Sequence, residues 1–149
     1  MQVKDVMTAN PACCTLDSRL PEVARMMVDN DCGEIPVVEN NESKNPVGVV
    51  TDRDIVVRTV AKDKNPLELT AADCMTKPIL TVTPDTPVEE CCRIMQEEQI
   101  RRVPVVDASG ALCGIVALAD LALQARSGVA GEVVKEVSEP GKSSQATAP

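Results

Sequence analysis

Apolar and polar positions alternate with two different periods along this chain. Leu20, Val23, Ala24 and Met27 recur at i, i+3, i+4 and i+7, which places them on one face of a helix started by Ser18. Val88, Cys91, Cys92 and Met95 repeat that stripe. Ahead of them Thr86-Pro87-Val88-Glu89 has the form of a capping box with proline at the first helical position. Short apolar runs lie between these helices: Ala12 to Leu16, Ile35 to Val38, Val47 to Val50, Val103 to Val106 and Leu112 to Val116. Most are rich in β-branched residues, which suit a pleated, packed surface, and each is predicted as a strand. Pro36 and Pro104 stand near the start of their strands, where a missing N–H is tolerated. Asp52 to Val60 can carry a further helix, and Leu67 to Cys74 reads as a short helix leading into the second half. Each half then has the order strand, helix, strand, strand, helix.

The order occurs twice because the sequence does. A shift of 68 positions carries Asp5 onto Asp73, Met7-Thr8 onto Met75-Thr76, and Thr15 and Asp17 onto Thr83 and Asp85. It also carries Glu22, Arg25 and Met27 onto Glu90, Arg93 and Met95, and Pro36-Val37-Val38 onto Pro104-Val105-Val106, without a gap. The loop from Glu39 to Pro46 is two residues longer than its counterpart, so beyond it the shift is 66, and Gly48 meets Gly114 while Asp54 meets Asp120. The repeats are drawn at 1–62 and 63–125, with the polar stretch Lys62 to Pro66 between them. A tail follows at 126–149. In it Ala130, Val133, Val134 and Val137 share one helical face, and the small polar residues from Pro140 to Pro149 predict disorder.

The stretch Gly48-Val49-Val50-Thr51-Asp52-Arg53-Asp54 joins a strand to a helix. Thr51 is placed to cap that helix, whose first turn exposes unpaired N–H groups and the positive end of the peptide dipoles. Thr51 and Asp54 are three apart and share one face of the turn. One can meet a phosphate and the other a sugar diol. A threonine cap followed by acidic residues is also ordinary helix-starting grammar, and it is the recurrence of the motif that argues for more.

Composition narrows the chemistry. The chain has 149 residues, 44% hydrophobic and 26% charged, as expected of a globular protein with its own core. It contains no Phe, Tyr or Trp, so a flat base would have to be read by aliphatic walls and backbone groups. A net charge of −8 argues against a nucleic-acid surface, and Arg101-Arg102 suffices for one phosphate group. No run approaches the roughly 18 apolar residues needed to span a bilayer and the N-terminus lacks a secretory h-region, so a cytoplasmic protein is expected. Seven cysteines occur without any histidine or CxxC pair. They read as small apolar residues, Cys91 and Cys92 most clearly, with Cys13, Cys14, Cys32, Cys74 and Cys113 open to an alternative redox or soft-metal role. Gly-x-Ser-x-Gly, HExxH and P-loop motifs are absent, which argues against an enzyme.

Three markers recur in the same order in both halves: the Met-Thr opening, the hydrophobic-Pro-Val-Val strand, and the ending Gly-x-x-(Thr/Ser)-x-x-Asp. With them each half resembles a cystathionine-β-synthase (CBS) domain, and the pair resembles a Bateman module, from Val3 to about Leu123. The resemblance implies an α/β fold of two β-α-β-β-α repeats packed as an intramolecular pseudo-twofold pair, with two clefts between them. It implies a regulatory role in which the clefts take an adenosine-containing ligand, AMP first, with ATP, ADP, NAD or S-adenosylmethionine as alternatives. No metal is expected, and a homodimer and an unknown regulated protein are.

Carried onto this sequence, the resemblance gives Asp54 the ribose hydroxyls and Thr51 the phosphate, with Arg53, Arg101 and Arg102 as further phosphate candidates and Val49 beside them. The base of that ligand would lie against Pro78, Leu80 and Ile100. The second cleft would use Asp120 and Ile115, lined by Asn10, Ala12, Cys32 and Gly33. There Ala117 replaces the Thr/Ser, and Gly33-Glu34 stands where the other half has Arg101-Arg102, so weaker binding, a preference for a less charged ligand, or an empty cleft is expected. An interaction scaffold with vestigial clefts is a further alternative.

Overall fold

The computed structural model describes residues 1–77 and 79–124. Pro78, and the tail with its expected helical face and disorder, lie outside them. In chain order the elements are a 3-10 turn at Val3–Asp5, β1 (Thr8–Ala9), β2 (Cys14–Thr15), α1 (Leu20–Asn30), β3 (Glu34–Val38), β4 (Pro46–Thr51) and α2 (Asp52–Arg58). They continue with 3-10 turns at Val60–Lys62 and Pro66–Glu68, α3 (Ala71–Cys74), α4 (Val88–Glu98), β5 (Arg102–Val106), β6 (Leu112–Ala117) and α5 (Leu118–Gln124).

Both apolar stripes bury themselves as their spacing demands, with Leu20, Val23 and Met27 in α1 and Cys91, Cys92 and Met95 in α4. Ala24, expected on the buried face, is exposed. Met26 packs against the core instead. Neither helix uses the cap its sequence suggests. The Ser18 hydroxyl accepts the Thr15 N–H at 3.0 Å, and the Thr86 hydroxyl accepts the Thr83 N–H at 3.0 Å. Both therefore close the turn before the helix. The capping box expected at Thr86 to Glu89 does not form, and α4 begins at Val88. Both helices end on a left-handed residue, Asp31 at φ 50° and Gln99 at φ 56°, in the place glycine most often takes.

The helix expected to reach Val60 stops at Arg58, where Thr59 leaves helical geometry and returns its hydroxyl to the Ile55 carbonyl at 2.5 Å. The expected lead-in helix is likewise broken, because Leu69 is extended between the turn at Pro66–Glu68 and α3.

Two three-stranded sheets form, in the orders β2-β3-β4 and β1-β6-β5. β3 and β4 pair antiparallel from Glu34 opposite Thr51 to Val38 opposite Pro46. β5 and β6 repeat that register from Arg102 opposite Ala117 to Val106 opposite Leu112.

The chain divides into two compact units that do not follow the repeat: residues 1–11 join the chain from Leu80 onward, and Ala12–Ile79 form the other. Each unit thus contains the Met-Thr segment that opens the other copy. The bonds holding these segments are the same in both. Val3 N–H donates to Thr86 O at 2.8 Å and Lys4 N–H to Pro84 O at 2.9 Å, while Ala71 N–H donates to Ser18 O at 2.8 Å and Ala72 N–H to Leu16 O at 3.1 Å. Each donor pair and each acceptor pair is related by the same shift of 68. Val3 and Ala71 are fully buried in their respective cores, and a valine so buried contributes about 2 kcal/mol.

Candidate functional site

β4 delivers the chain to α2 through Thr51, whose backbone is still extended. Its hydroxyl accepts the Asp54 N–H at 3.0 Å, and the Asp54 carboxylate accepts the Thr51 N–H at 3.0 Å. The Thr-x-x-Asp spacing is thus a reciprocal cap that satisfies two backbone donors. A hydroxyl that accepts in this way keeps its own proton to donate.

Asp54 is buried, only 8% exposed, and a buried carboxylate is costly unless donors surround it. Two more groups supply them. The Thr76 hydroxyl lies 3.2 Å from each carboxylate oxygen. Arg58, one turn along α2, brings Nη2 to 3.8 Å from Oδ1. Through Nη1, Arg58 also donates to the carbonyls of Cys74 at 2.9 Å and Met75 at 2.7 Å.

Thr76 reaches Asp54 because its backbone exchanges two hydrogen bonds with Val49, at 3.0 and 2.8 Å. Gly48 permits that approach. A Cβ there would lie 2.9 Å from Met75 Sδ and 2.9 Å from the Thr76 carbonyl oxygen. The Met-Thr and Gly-x-x-Thr-x-x-Asp markers therefore interlock within one unit, although they come from different copies of the repeat.

The other unit repeats the backbone with different side chains. Met7 lies over Gly114, and β1 pairs with β6 at Thr8 opposite Ile115. Ala117 has no hydroxyl, and Gln124 stands where Arg58 stands in the first copy. Asp120 is half-buried, and its carboxylate has no hydrogen-bond or ion-pair partner among the described residues.

The sequence-predicted residues are divided between the units. Thr51, Asp54, Val49 and Gly33 gather in one, where the Gly33 carbonyl accepts the Asp52 N–H at 3.0 Å at the start of α2. Ala12 and Cys32, both half-buried, belong to the same unit, as does Arg53, whose side chain is exposed. In the other unit the Arg101 carbonyl accepts the Leu118 N–H at 2.8 Å, the matching bond at the start of α5. Arg101 is exposed, Arg102 and Ile100 are half-buried, Ile115 is buried and Leu80 is exposed. Asn10 adopts φ 50° and donates its N–H to Cys113 O at 3.1 Å. Pro78 lies outside the described residues.

Sequence reasoning missed Arg58 and the role of Thr76. Arg58 sits four residues after Asp54, the spacing at which helix side chains meet, and that was the available signal. Thr76 was visible only as half of a marker.

All seven cysteines are free thiols. Burial pushes Cys14 and Cys91 up to about 12 and raises Cys74, Cys92 and Cys113 as well, which suits packing and opposes thiolate chemistry. Among the described residues no three His, Cys, Asp or Glu side chains come together as a metal site, and no helix is long and apolar enough to cross a membrane. A separate hollow of about 390 Å³ is lined by Cys13, Thr15, Ser18 and Asn41 with the carboxylates of Asp17 and Glu22, which disfavour an anion there.

The family model described as CBS domain matches residues 3–59 and 71–125. Protein YlbB of Bacillus subtilis is 38% identical over 139 residues, covering 93% of this chain and 92% of its own. MK0525 of Methanopyrus kandleri is 37% identical over 118 residues, 79% of this chain, which spans only 57% of that protein's length. Among solved structures, Hypoxic Response Protein I with two coordinated zinc ions matches at TM-score 0.76 and 31% identity, covering 84% of this chain and 99% of that one. CBSX2 in complex with AMP matches at 0.71 and 26%, covering 85% and 99%. The CBS pair of MJ0100, in complex with 5-methylthioadenosine and S-adenosyl-L-methionine, matches at 0.71 and 27%, covering 83% and 94%.

Proposed function

The chain belongs to the CBS domain family as a tandem CBS pair, a Bateman module, and from that premise we propose that it is a regulatory module, not a catalyst, which binds an adenosine-containing nucleotide and signals to a partner protein. AMP is the first candidate, with ATP, ADP, NAD and S-adenosylmethionine as alternatives. The observation that carries the reading is Asp54, a buried carboxylate fixed at the entrance of α2 beside the Thr51 hydroxyl. A carboxylate so held can accept a vicinal diol by two charge-assisted hydrogen bonds, and the cap hydroxyl still has a proton for a phosphate oxygen. The complexes of CBSX2 and of the MJ0100 pair with adenosine compounds support the ligand class.

On the family resemblance, the reading assigns phosphate contacts also to Arg53, Arg101 and Arg102, and base contacts to Val49, Leu80, Ile100 and Pro78. It assigns the weaker site to Asp120 with Ile115, Asn10, Ala12 and Gly33, because Ala117 cannot donate to a phosphate and Gly33-Glu34 stands where the other half has Arg101-Arg102. We take the module to act in the cytoplasm, in keeping with its free thiols, and as a homodimer.

Calorimetric titration with AMP, ADP, ATP, NAD and S-adenosylmethionine tests the reading, with Asp54→Ala as the comparison. At least one ligand should bind well below millimolar, and the substitution should weaken it tenfold or more, about 1.4 kcal/mol. Binding of none of the five, or equal binding by Asp54→Ala, defeats the proposal.

A further inference from the structure

The Thr76 hydroxyl stands at 3.2 Å from both Asp54 oxygens. Equal distances put it midway between the two oxygens, within reach of both, as the hydroxyls of a vicinal diol would also have to be. Its one proton is shared between two acceptors. The Thr51 N–H occupies a further acceptor position on Oδ2, and Arg58 faces Oδ1. Both oxygens of Asp54 are therefore already engaged by the protein itself. Thr76 is also an exposed residue, held by backbone bonds to Val49 that do not involve its side chain. Rotation about χ1 can carry the hydroxyl from the carboxylate into water while the strand stays in place.

Resting on the assignment of Asp54 to a ribose, we propose that Thr76 is a specificity-determining residue: its hydroxyl is a stand-in that a ligand must displace from Asp54. A ribose then exchanges one donor for two and gains a hydrogen bond. A ligand with a single hydroxyl, such as a 2′-deoxyribose, exchanges one for one and gains nothing from the carboxylate. Thr76 so sets a threshold that admits ribonucleotides and discounts deoxyribonucleotides. The Asp120 unit has no such stand-in, because no donor from Thr8 reaches the Asp120 carboxylate among the described residues.

The test titrates the unmodified chain, Thr76→Val, Thr76→Ser and Asp54→Asn with AMP and with 2′-deoxy-AMP. Valine keeps the shape and removes the donor, so Thr76→Val should bind AMP about tenfold tighter, the worth of one hydrogen bond to a charged group no longer surrendered. Thr76→Ser should return the affinity to that of the unmodified chain. Unchanged or weaker AMP binding by Thr76→Val overturns the proposal, since a purely structural threonine predicts that direction. A second measurement needs no Thr76 variant. Asp54→Asn should weaken AMP about tenfold and leave 2′-deoxy-AMP where it was, and equal losses for both ligands overturn the proposal. If the unmodified chain binds no adenosine ligand, or Asp54 proves irrelevant to one it binds, the proposed function falls and this inference with it. If AMP binds through Asp54 and only the Thr76 or deoxyribose results fail, the function stands and the stand-in is lost.

Discussion

Alanine at Gly48 and at Gly114 should cost different amounts, and in the opposite order from the nearest contact. At Gly114 the added Cβ would meet Met7 Sδ at 2.5 Å, with Thr8 O at 3.2 Å. At Gly48 it would meet Met75 Sδ at 2.9 Å and Thr76 O at 2.9 Å. Methionine is an unbranched, flexible chain that can swing its sulfur aside. The backbone at Thr76 cannot do so, being tied to Val49 at 3.0 and 2.8 Å and through Met75 O to Arg58 at 2.7 Å. Relieving the carbonyl contact requires a retreat of about half an ångström, enough to carry the Val49 N–H to Thr76 O bond beyond useful length. That loses about 1 kcal/mol, and overpacking adds about 1–2 kcal/mol. Alanine returns up to about 1 kcal/mol by restricting the unfolded chain. Gly48→Ala should therefore destabilise by about 2 kcal/mol, and Gly114→Ala by about 1 kcal/mol or less.

Urea unfolding of the two variants, each also combined with truncation of the facing methionine, checks this. Met7→Ala should relieve most of the Gly114→Ala defect. Met75→Ala should leave much of the Gly48→Ala defect in place, because the carbonyl clash survives it; the two cycles isolate these couplings. If Gly114→Ala proves the costlier, or if both methionine truncations rescue equally, the reasoning from backbone against side chain is wrong.

Arg58→Met should cost about 2 kcal/mol by denaturant unfolding, because it orphans two carbonyls bonded to a charged donor. Arg93→Met, which breaks exposed ion pairs with Glu90 and Glu97, should leave the midpoint unchanged; equal effects would refute the distinction. Stability should also fall in alkali. Burial lifts Cys14 and Cys91 from 9.0 to about 12, so below the lower value both states keep their protons and the full stability is present. Between the two values the unfolded chain ionises first, and stability drops as pH rises. Urea midpoints at about pH 8 and about pH 10.5 should differ less in Cys91→Ala than in the unmodified chain, and native thiol labelling should reach half-buried Cys13 before either buried thiol.

The helices were legible because burying one face imposes a local spacing, and Val23, Met27, Cys91 and Met95 keep it. Their caps were not. A hydroxyl at Ser18 or Thr86 can bond forward to its helix or accept from an N–H behind it, and Thr-Pro-Val-Glu reads the same in either case. Ala24 carries too little apolar area to decide which edge of the stripe faces inward, and Met26 has more to bury. The exchange of the Met-Thr segments was invisible for a different reason. A repeat shift of 68 is identical whether each segment joins its own copy or the other, so comparing the chain with itself cannot detect the swap.

The two carboxylates diverge although the exchanged Met-Thr segment is the same in both units. Thr51 and Asp54 form a pair readable from the sequence, since a cap and its third residue are always neighbours. Thr76 and the carbonyls that Arg58 holds lie 16 to 22 positions away in the chain, across the boundary of the repeat, and no local pattern announces them. What separates Asp54, capped and ringed by donors, from Asp120 is local: Ala117 and Gln124 stand where the hydroxyl of Thr51 and the guanidinium of Arg58 would be. Duplication preserved the glycine and methionine that bring the strands together, and with them the backbone of both sites. If the proposed function holds, the hydroxyl of Thr51 and its carboxylate partner are complete on one side only, so calorimetric titration of the unmodified chain should give one dominant binding event per chain, and two equal events would refute this.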